Sequence, residues 1–192
     1  MKIVVMLIDS LRADHLGCYG YSKGTSPRIY KIAKGSILFR NAFSQCNWTY
    51  PSLYSIITGR YPSVLMLDWF DEKVNAAFPT LPESLARKGF HTAIFSNFEF
   101  LLKRSSFGSH FRQREFVTLR MNALESFRAL LKKTNDLFLF FHVGEFVHEP
   151  FFAEPDYVRK FAGKRKDLAP NEAIKALTTK IESEDEKVRE PL

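Results

Sequence analysis

The segment "CNWTYPSLYSIITGR", residues 46–60, sets Cys46, Thr49 and Ser52 around Pro51, just where a helix pattern begins. A hydroxyl serves as a nucleophile only with help, because its own pKa leaves almost no alkoxide near neutral pH. A helix opening at Pro51 would supply some. Its unpaired N–H groups and positive dipole end favour an anionic substrate, and would stabilise an alkoxide on Thr49. The plain alternative is that Thr49 or Tyr50 simply opens the helix. Asp9 is a second point of chemistry, since it ends an apolar run where its carboxylate could bind a hard cation through oxygen. It could equally cap the turn "DSLRAD". His142 and His148 flank "VGEFV", with Glu145 between them. Such a group can protonate a leaving group, hold a phosphate-like anion or ligate a metal, although the six-residue separation is no recognised zinc spacing. A strand-end histidine satisfied by backbone partners is the plain alternative. His15, His91 and His110 lack such company.

These residues need elements to position them. "KIVVMLID" suits a fully buried parallel strand ending in a functional acid. "TSPRIYKIAKG" reads as a helix with Ser26 as N-cap, Pro27 at its first position and Gly35 at its end. "SILFRNAFS", residues 36–44, reads as a strand, and "PSLYSIITG" as a helix opened by Pro51 and closed by Gly59. "TLPESLARKG" is a capped helix and "FHTAIFSN" a buried strand. "NALESFRALLKK" is amphipathic, with Leu124, Phe127 and Leu131 on one face, and "DLFLFFHVG" is a strand delivering polar residues at its end. Helices alternating with short apolar strands imply an α/β fold with a mostly parallel sheet flanked by helices. Ligands in such sheets gather beyond the carboxyl ends of the strands, where Asp9 and His142 both fall. Residues 1–153 form this α/β portion. Residues 154–192 change character and read as a charged helical segment, with a weak apolar stripe through Ile174, Leu177 and Ile181.

The 192 residues suffice for one domain with a substantial core. A content of 45% hydrophobic and 26% charged residues is ordinary for a soluble globular chain. Of the 19 phenylalanines, six fall in "NDLFLFFHVGEFVHEPFF", which suits an aromatic core strand. The net charge of +7 favours anions in general, but no nucleic-acid signature accompanies it. "RKFAGKRK", at 159–166, reads as a solvated surface. Cys18 and Cys46 fit no metal or redox spacing and read as free thiols in a reducing compartment. The apolar runs "IVVMLI" and "LFLFFHV" fall far below the ~20 residues that cross a membrane. The start carries no signal-peptide pattern, so the chain reads as cytoplasmic.

Taken together, "ADHLGCYGY", "SPRIYKIAKGSILFRNAFS" and "PSLYSIITGRYP", following an acid that closes the first strand, closely resemble the N-terminal part of the sulfatase family within the alkaline-phosphatase superfamily. "LFLFFHVGEFVHEPF" looks like the family segment in which a histidine precedes a short proline-containing turn. The resemblance covers most of residues 2–63 and about 136–157.

The resemblance implies that Asp9 is a metal-binding aspartate and that Thr49 holds the nucleophile position. There, authentic sulfatases carry a cysteine or serine oxidised to formylglycine. Cys46 lies three residues too early to be that cysteine. Pro51, Ser52, Thr58, Gly59 and Arg60 match the rest of the signature, and His148 and His142 fall near the substrate-contacting histidine. Threonine cannot become formylglycine, but it serves as nucleophile in related phosphodiesterases, phosphonate hydrolases and phospho-headgroup transferases. Leu53 replaces the signature's arginine, which removes a positive charge that would steady the nucleophile, and Ser10 replaces a second aspartate, which implies a reduced metal site. The family's Ser-Asp-His-Gly segment, a source of further metal ligands, is not in these 192 residues. The implied function is hydrolysis of a phosphate, phosphonate or sulfate ester by Thr49, with a divalent cation (Mn, Mg, Ca or Zn) on Asp9 and Thr49 and with His148 and His142 at the substrate. A phosphodiesterase or headgroup transferase is the first alternative, and a non-catalytic anion-binding fragment or subunit the second. A homo-oligomer or a partner chain could supply the missing ligands.

Overall fold

The computed structural model describes residues 1–65, 78–104, 106–118, 123–144 and 147–148. The elements are β1 (Lys2–Ile8), α1 (Pro27–Ala33), α2 (Thr49–Thr58), α3 (Pro62–Leu65), α4 (Leu81–Arg87), β2 (His91–Ser96), β3 (Gln113–Phe116), α5 (Ala123–Lys133) and β4 (Leu137–Val143). The chain divides into two compact units, one of Met1–Leu11 with Ser36–Glu145 and one of Arg12–Gly35 with Phe146–Leu192.

The larger unit is built on a four-stranded sheet in the order β1-β4-β2-β3, with every pairing parallel. A parallel strand with neighbours on both sides must be covered on both faces, which requires apolar residues at every position. β4 meets that demand, since all seven residues of "LFLFFHV" are buried. On one face Phe138 and Phe140 pack with Leu53, Tyr54 and Ile57 of α2 and with Phe107 and Phe111. Phe111 stacks on Phe138 at 6.2 Å, and Phe107 meets Phe140 edge-on at 5.8 Å. On the other face Leu137, Leu139 and Phe141 pack with Phe95 of β2 and Leu130 of α5. Each fully buried large side chain of this kind stabilises by about 1.5–3 kcal/mol. The mostly parallel α/β sheet flanked by helices is therefore as the sequence implies.

Four local readings change. β1 is not buried on both faces. Among the described residues it is an edge strand, alternating between exposed and half-buried positions. Ile3, Val5 and Leu7 join the α2-side core, whereas Val4 and Met6 stay 42% and 66% exposed on the α5 side. They line an apolar groove of about 290 Å³ with Ile8, Leu124, Phe127 and Phe141. Leu124, read as part of the apolar stripe of α5, is accordingly 58% exposed, and Ala123 and Leu130 are the buried contacts. Residues 36–44 form no strand. Ile37 and Phe39, which would alternate onto one face of a sheet, face solvent, and β propensity is realised only where a pleated surface exists to pack on. α2 begins at Thr49, not Pro51, with Trp48 as its N-cap. Its first ladder bond runs from Ser52 N–H to the Trp48 carbonyl, so Pro51, which has no N–H to give, sits harmlessly in the first turn.

α4 starts on a reciprocal capping box: Thr80 Oγ1 accepts from the Glu83 N–H at 3.4 Å, and Glu83 Oε2 accepts from the Thr80 N–H at 3.0 Å. β3, the polar "QREF", has no apolar signature and was not expected. In the smaller unit, α1 begins at Pro27 with Ser26 as N-cap residue. The Ser26 hydroxyl does not cap the helix; it accepts the Gly17 N–H at 2.9 Å and ties the preceding turn in place. Arg12 grips Asp14 through Nε and Nη2, at 3.0 and 2.6 Å, and holds that carboxyl well below its usual range. Neither cysteine forms a disulfide. No helix among the described residues is long and apolar enough to cross a membrane. The expected helical segment 154–192 lies outside the described residues.

Candidate active site

The carboxyl ends of three adjacent parallel strands converge on one cluster. Leu7 of β1, His142 of β4 and Ser96 of β2 occupy the same register level. The Asp9 N–H extends the β1–β4 ladder by one bond, to the Val143 carbonyl at 2.8 Å. That bond fixes the backbone from which the carboxylate projects. Ser10 then turns the chain with a φ of 60°, a left-handed conformation uncommon outside glycine, and its hydroxyl approaches Asp9 Oδ1 at 3.4 Å.

Thr49 opens α2 directly opposite. Its Oγ1 donates to Asp9 Oδ2 at 3.0 Å, and being the first helical residue it stands at the positive end of a ten-residue helix. The same Asp9 Oδ2 lies 3.4 Å from His142 Nε2. His142 is fully buried and the Asp9 side chain is 13% exposed, so the carboxylate is the rim through which the cluster meets solvent. On the far side of the imidazole, Nδ1 is 3.0 Å from the buried Ser96 Oγ, and the Phe98 ring meets it edge-on at 5.0 Å. The Asn97 side chain accepts the Gly144 N–H at 3.1 Å, which closes β2 onto the end of β4.

Of the residues singled out from the sequence, Asp9, Thr49 and His142 therefore come together. His148 is half-buried and belongs to the smaller unit, while Glu145 lies outside the described residues. Cys46 turns its thiol to the Asn47 side chain, and its carbonyl accepts the Ser52 hydroxyl at 2.8 Å, so neither residue joins the cluster. Ser96 was missed, although "FHTAIFSN" obeys the same rule that marked Asp9 and His142: a buried strand ending in a polar residue. For a divalent cation, Asp9 and Thr49 offer hard oxygen donors on one edge, which suits such an ion chemically. Among the described residues no three His, Cys, Asp or Glu side chains gather as a complete ligand set.

Comparison with known proteins bears on this arrangement. The sulfatase family model matches residues 2–190. The chain belongs to the sulfatase family. Human iduronate 2-sulfatase is 37% identical over 95 residues, which cover 48% of this sulfatase-family chain and 17% of that protein. The C-terminal periplasmic domain of EcEptC from Escherichia coli, solved with Zn, superposes with a TM-score of 0.66 at 16% identity, over 88% of this chain and 50% of that one. The phosphonate monoester hydrolase of Agrobacterium radiobacter gives 0.62 at 14% identity, over 83% and 44%. At those identities the likeness is one of fold. The chain spans about half the length of these solved structures and under a fifth of the curated relative.

Proposed function

We propose that this chain carries the nucleophile end of a sulfatase-like, metal-dependent hydrolase acting on phosphate, phosphonate or sulfate esters. One observation carries the reading: Thr49 Oγ1 stands at the start of α2 and donates its proton to Asp9 Oδ2 at 3.0 Å. Thr49 Oγ1 would form the new bond to phosphorus or sulfur as the ester oxygen leaves with its electron pair. The proton of Thr49 already points at the Asp9 carboxylate, and the helix end favours both the approaching anion and the alkoxide. Asp9 and Thr49 would hold a divalent cation of the Mn, Mg, Ca or Zn class, which when bound lowers the cost of charge on the attacking and ester oxygens. His142, beside Asp9, and His148 are the proposed substrate contacts. The remaining cation ligands would come from solvent, substrate, a second copy or another polypeptide segment.

Threonine at the nucleophile position favours a phosphorus ester over a sulfate ester, because it cannot be oxidised to the aldehyde on which sulfatase chemistry depends. The fold shared with a phosphonate monoester hydrolase agrees with that preference, and a diesterase or headgroup transferase fits the same residues. Wild type, Thr49→Ala and Asp9→Asn should be compared on an aryl phosphate diester, a phosphonate monoester and an aryl sulfate, each with Mn, Mg, Ca and Zn. Loss of at least about a thousandfold in kcat/KM on Thr49→Ala is expected for the preferred ester. Turnover that survives Thr49→Ala would overturn the assignment. No turnover with any cation, together with anion binding insensitive to Thr49→Ala, would favour a non-catalytic module.

A further inference from the structure

We propose that Ser96 is a positioning residue that holds His142 in its Nε2–H tautomer, so that the imidazole works as a hydrogen-bond donor at the Asp9–Thr49 edge and not as a metal ligand or a base. Its effect on turnover rests on the reading of that edge given above; the tautomer itself does not.

The protons and lone pairs around Ser96 Oγ decide the tautomer. Ser96 is fully buried, and among the described residues its Oγ meets the Phe98 N–H at 3.0 Å and His142 Nδ1, also at 3.0 Å. The Phe98 N–H can only donate, so Ser96 Oγ accepts it. Among the described residues, the acceptor within reach of the hydroxyl's own proton is the Nδ1 lone pair. A neutral imidazole that accepts at Nδ1 carries its proton on Nε2. That N–H points toward the carboxylate side, with Asp9 Oδ2 at 3.4 Å, and is not held in a hydrogen bond of good geometry. It is therefore directed at the Asp9 carboxylate, the rim on which the ester would bind.

The other tautomer fails at both ends. With the proton on Nδ1, Ser96 Oγ would receive two N–H donors while its own proton met no acceptor among the described residues. The Nε2 lone pair would face a carboxylate oxygen. A doubly protonated ring repeats the first fault. Tertiary packing fixes the ring as well as its proton, because Phe98 lies edge-on against it and the register of β2 and β4 sets Ser96 level with His142. Outer-shell hydrogen bonds fix the tautomer of functional histidines in this way, and here the chosen tautomer leaves the ring no free lone pair.

Long-range proton–nitrogen correlation on the full chain labelled with 15N-histidine tests this directly at neutral pH, with His142→Gln identifying the ring's signals. The expected spectrum shows a protonated Nε2 and a hydrogen-bonded, unprotonated Nδ1. In Ser96→Ala the Nδ1 signal should move toward that of an unbonded acceptor or split between tautomers, and Ser96→Thr, which keeps the hydroxyl, should restore it. An Nδ1–H or doubly protonated ring in the wild type would overturn the proposal, as would an Nδ1 signal indifferent to Ser96→Ala. Turnover on the preferred ester should fall about 10–100-fold in Ser96→Ala and recover in Ser96→Thr. The expected spectra without that fall would leave the tautomer standing and refute the positioning role. A protein with no turnover at all would refute the functional reading, with the spectrum still deciding the tautomer.

Discussion

β1 and β4 are paired along their whole length, both have seven residues, and each delivers a site residue at its carboxyl end. They differ in cover. β4 has β1 on one side and β2 on the other, with α2 below and α5 above, and all of its side chains are buried. Among the described residues β1 has one neighbour, and α5 does not reach far enough to shield Val4 and Met6. The candidate site therefore joins a buried central strand to an edge. His142 has its position set by packing on every side, whereas Asp9 is held by a backbone bond to Val143 and by the side chains that face it. Among the described residues nothing pairs with the outer edge of β1. An uncovered parallel edge beside an apolar groove is a liability that folded proteins ordinarily cover.

Substitutions in the two strands test the difference. Phe140→Ala, deleting a fully buried ring from the centre of β4, should cost about 3–5 kcal/mol in urea unfolding and serves as the largest expected effect. A cost under 1 kcal/mol would mean that β4 is not the packed centre of the sheet. Thr80→Ala removes the cap of α4, away from both strands, and should cost about 1 kcal/mol by the same measurement.

Glu83 adds a pH dependence to that cap. Burial works to raise its carboxyl, but hydrogen bonds from His110 and Thr80 outweigh it and hold the pKa below the usual glutamate range. A lowered folded-state pKa contributes stability that is full above the unfolded value of about 4.3 and is lost as pH falls through the folded one. Glu83→Gln should therefore narrow the stability difference between neutral pH and about pH 3, measured by denaturant unfolding at each pH. Met6→Ala is the smallest expected effect, within about 0.5 kcal/mol, because the side chain is already 66% exposed. A markedly larger loss would mean that the groove face of β1 is covered in solution, and sedimentation would then show whether a second copy covers it.

Much of the site could be read from residue order alone. Asp9 and His142 follow from one rule, that a short apolar strand in an α/β pattern presents its chemistry at its carboxyl end. Thr49 needed the family pattern around Pro51, since its local context fits a helix start equally well; the structure makes it both the first helical residue and the donor to Asp9. The same strand-end rule applies to Ser96, but a serine after "HTAIF" carries no mark of its partner until β2 lies beside β4. Residues 36–44 show the converse failure. Their alternation is real, yet alternation states only which surface a segment could pack on, and in this structure Ile37 and Phe39 remain in solvent.

The sequence by itself determined the α/β class, the family, and the strand ends that carry Asp9 and His142; it opened the helix at Pro51, two residues after Thr49, where the structure begins it. These depend on local periodicity, caps and a long contiguous signature, all written within single segments. The tertiary structure alone decided that, among the described residues, β1 is an edge and β4 a centre, that Thr49 and His142 meet one carboxylate oxygen, and that Ser96 lies against His142 Nδ1. Each of those is a contact between residues 40 or more positions apart. Such contacts are fixed by strand order and register, because two apolar runs of equal length do not reveal which will be flanked on both sides.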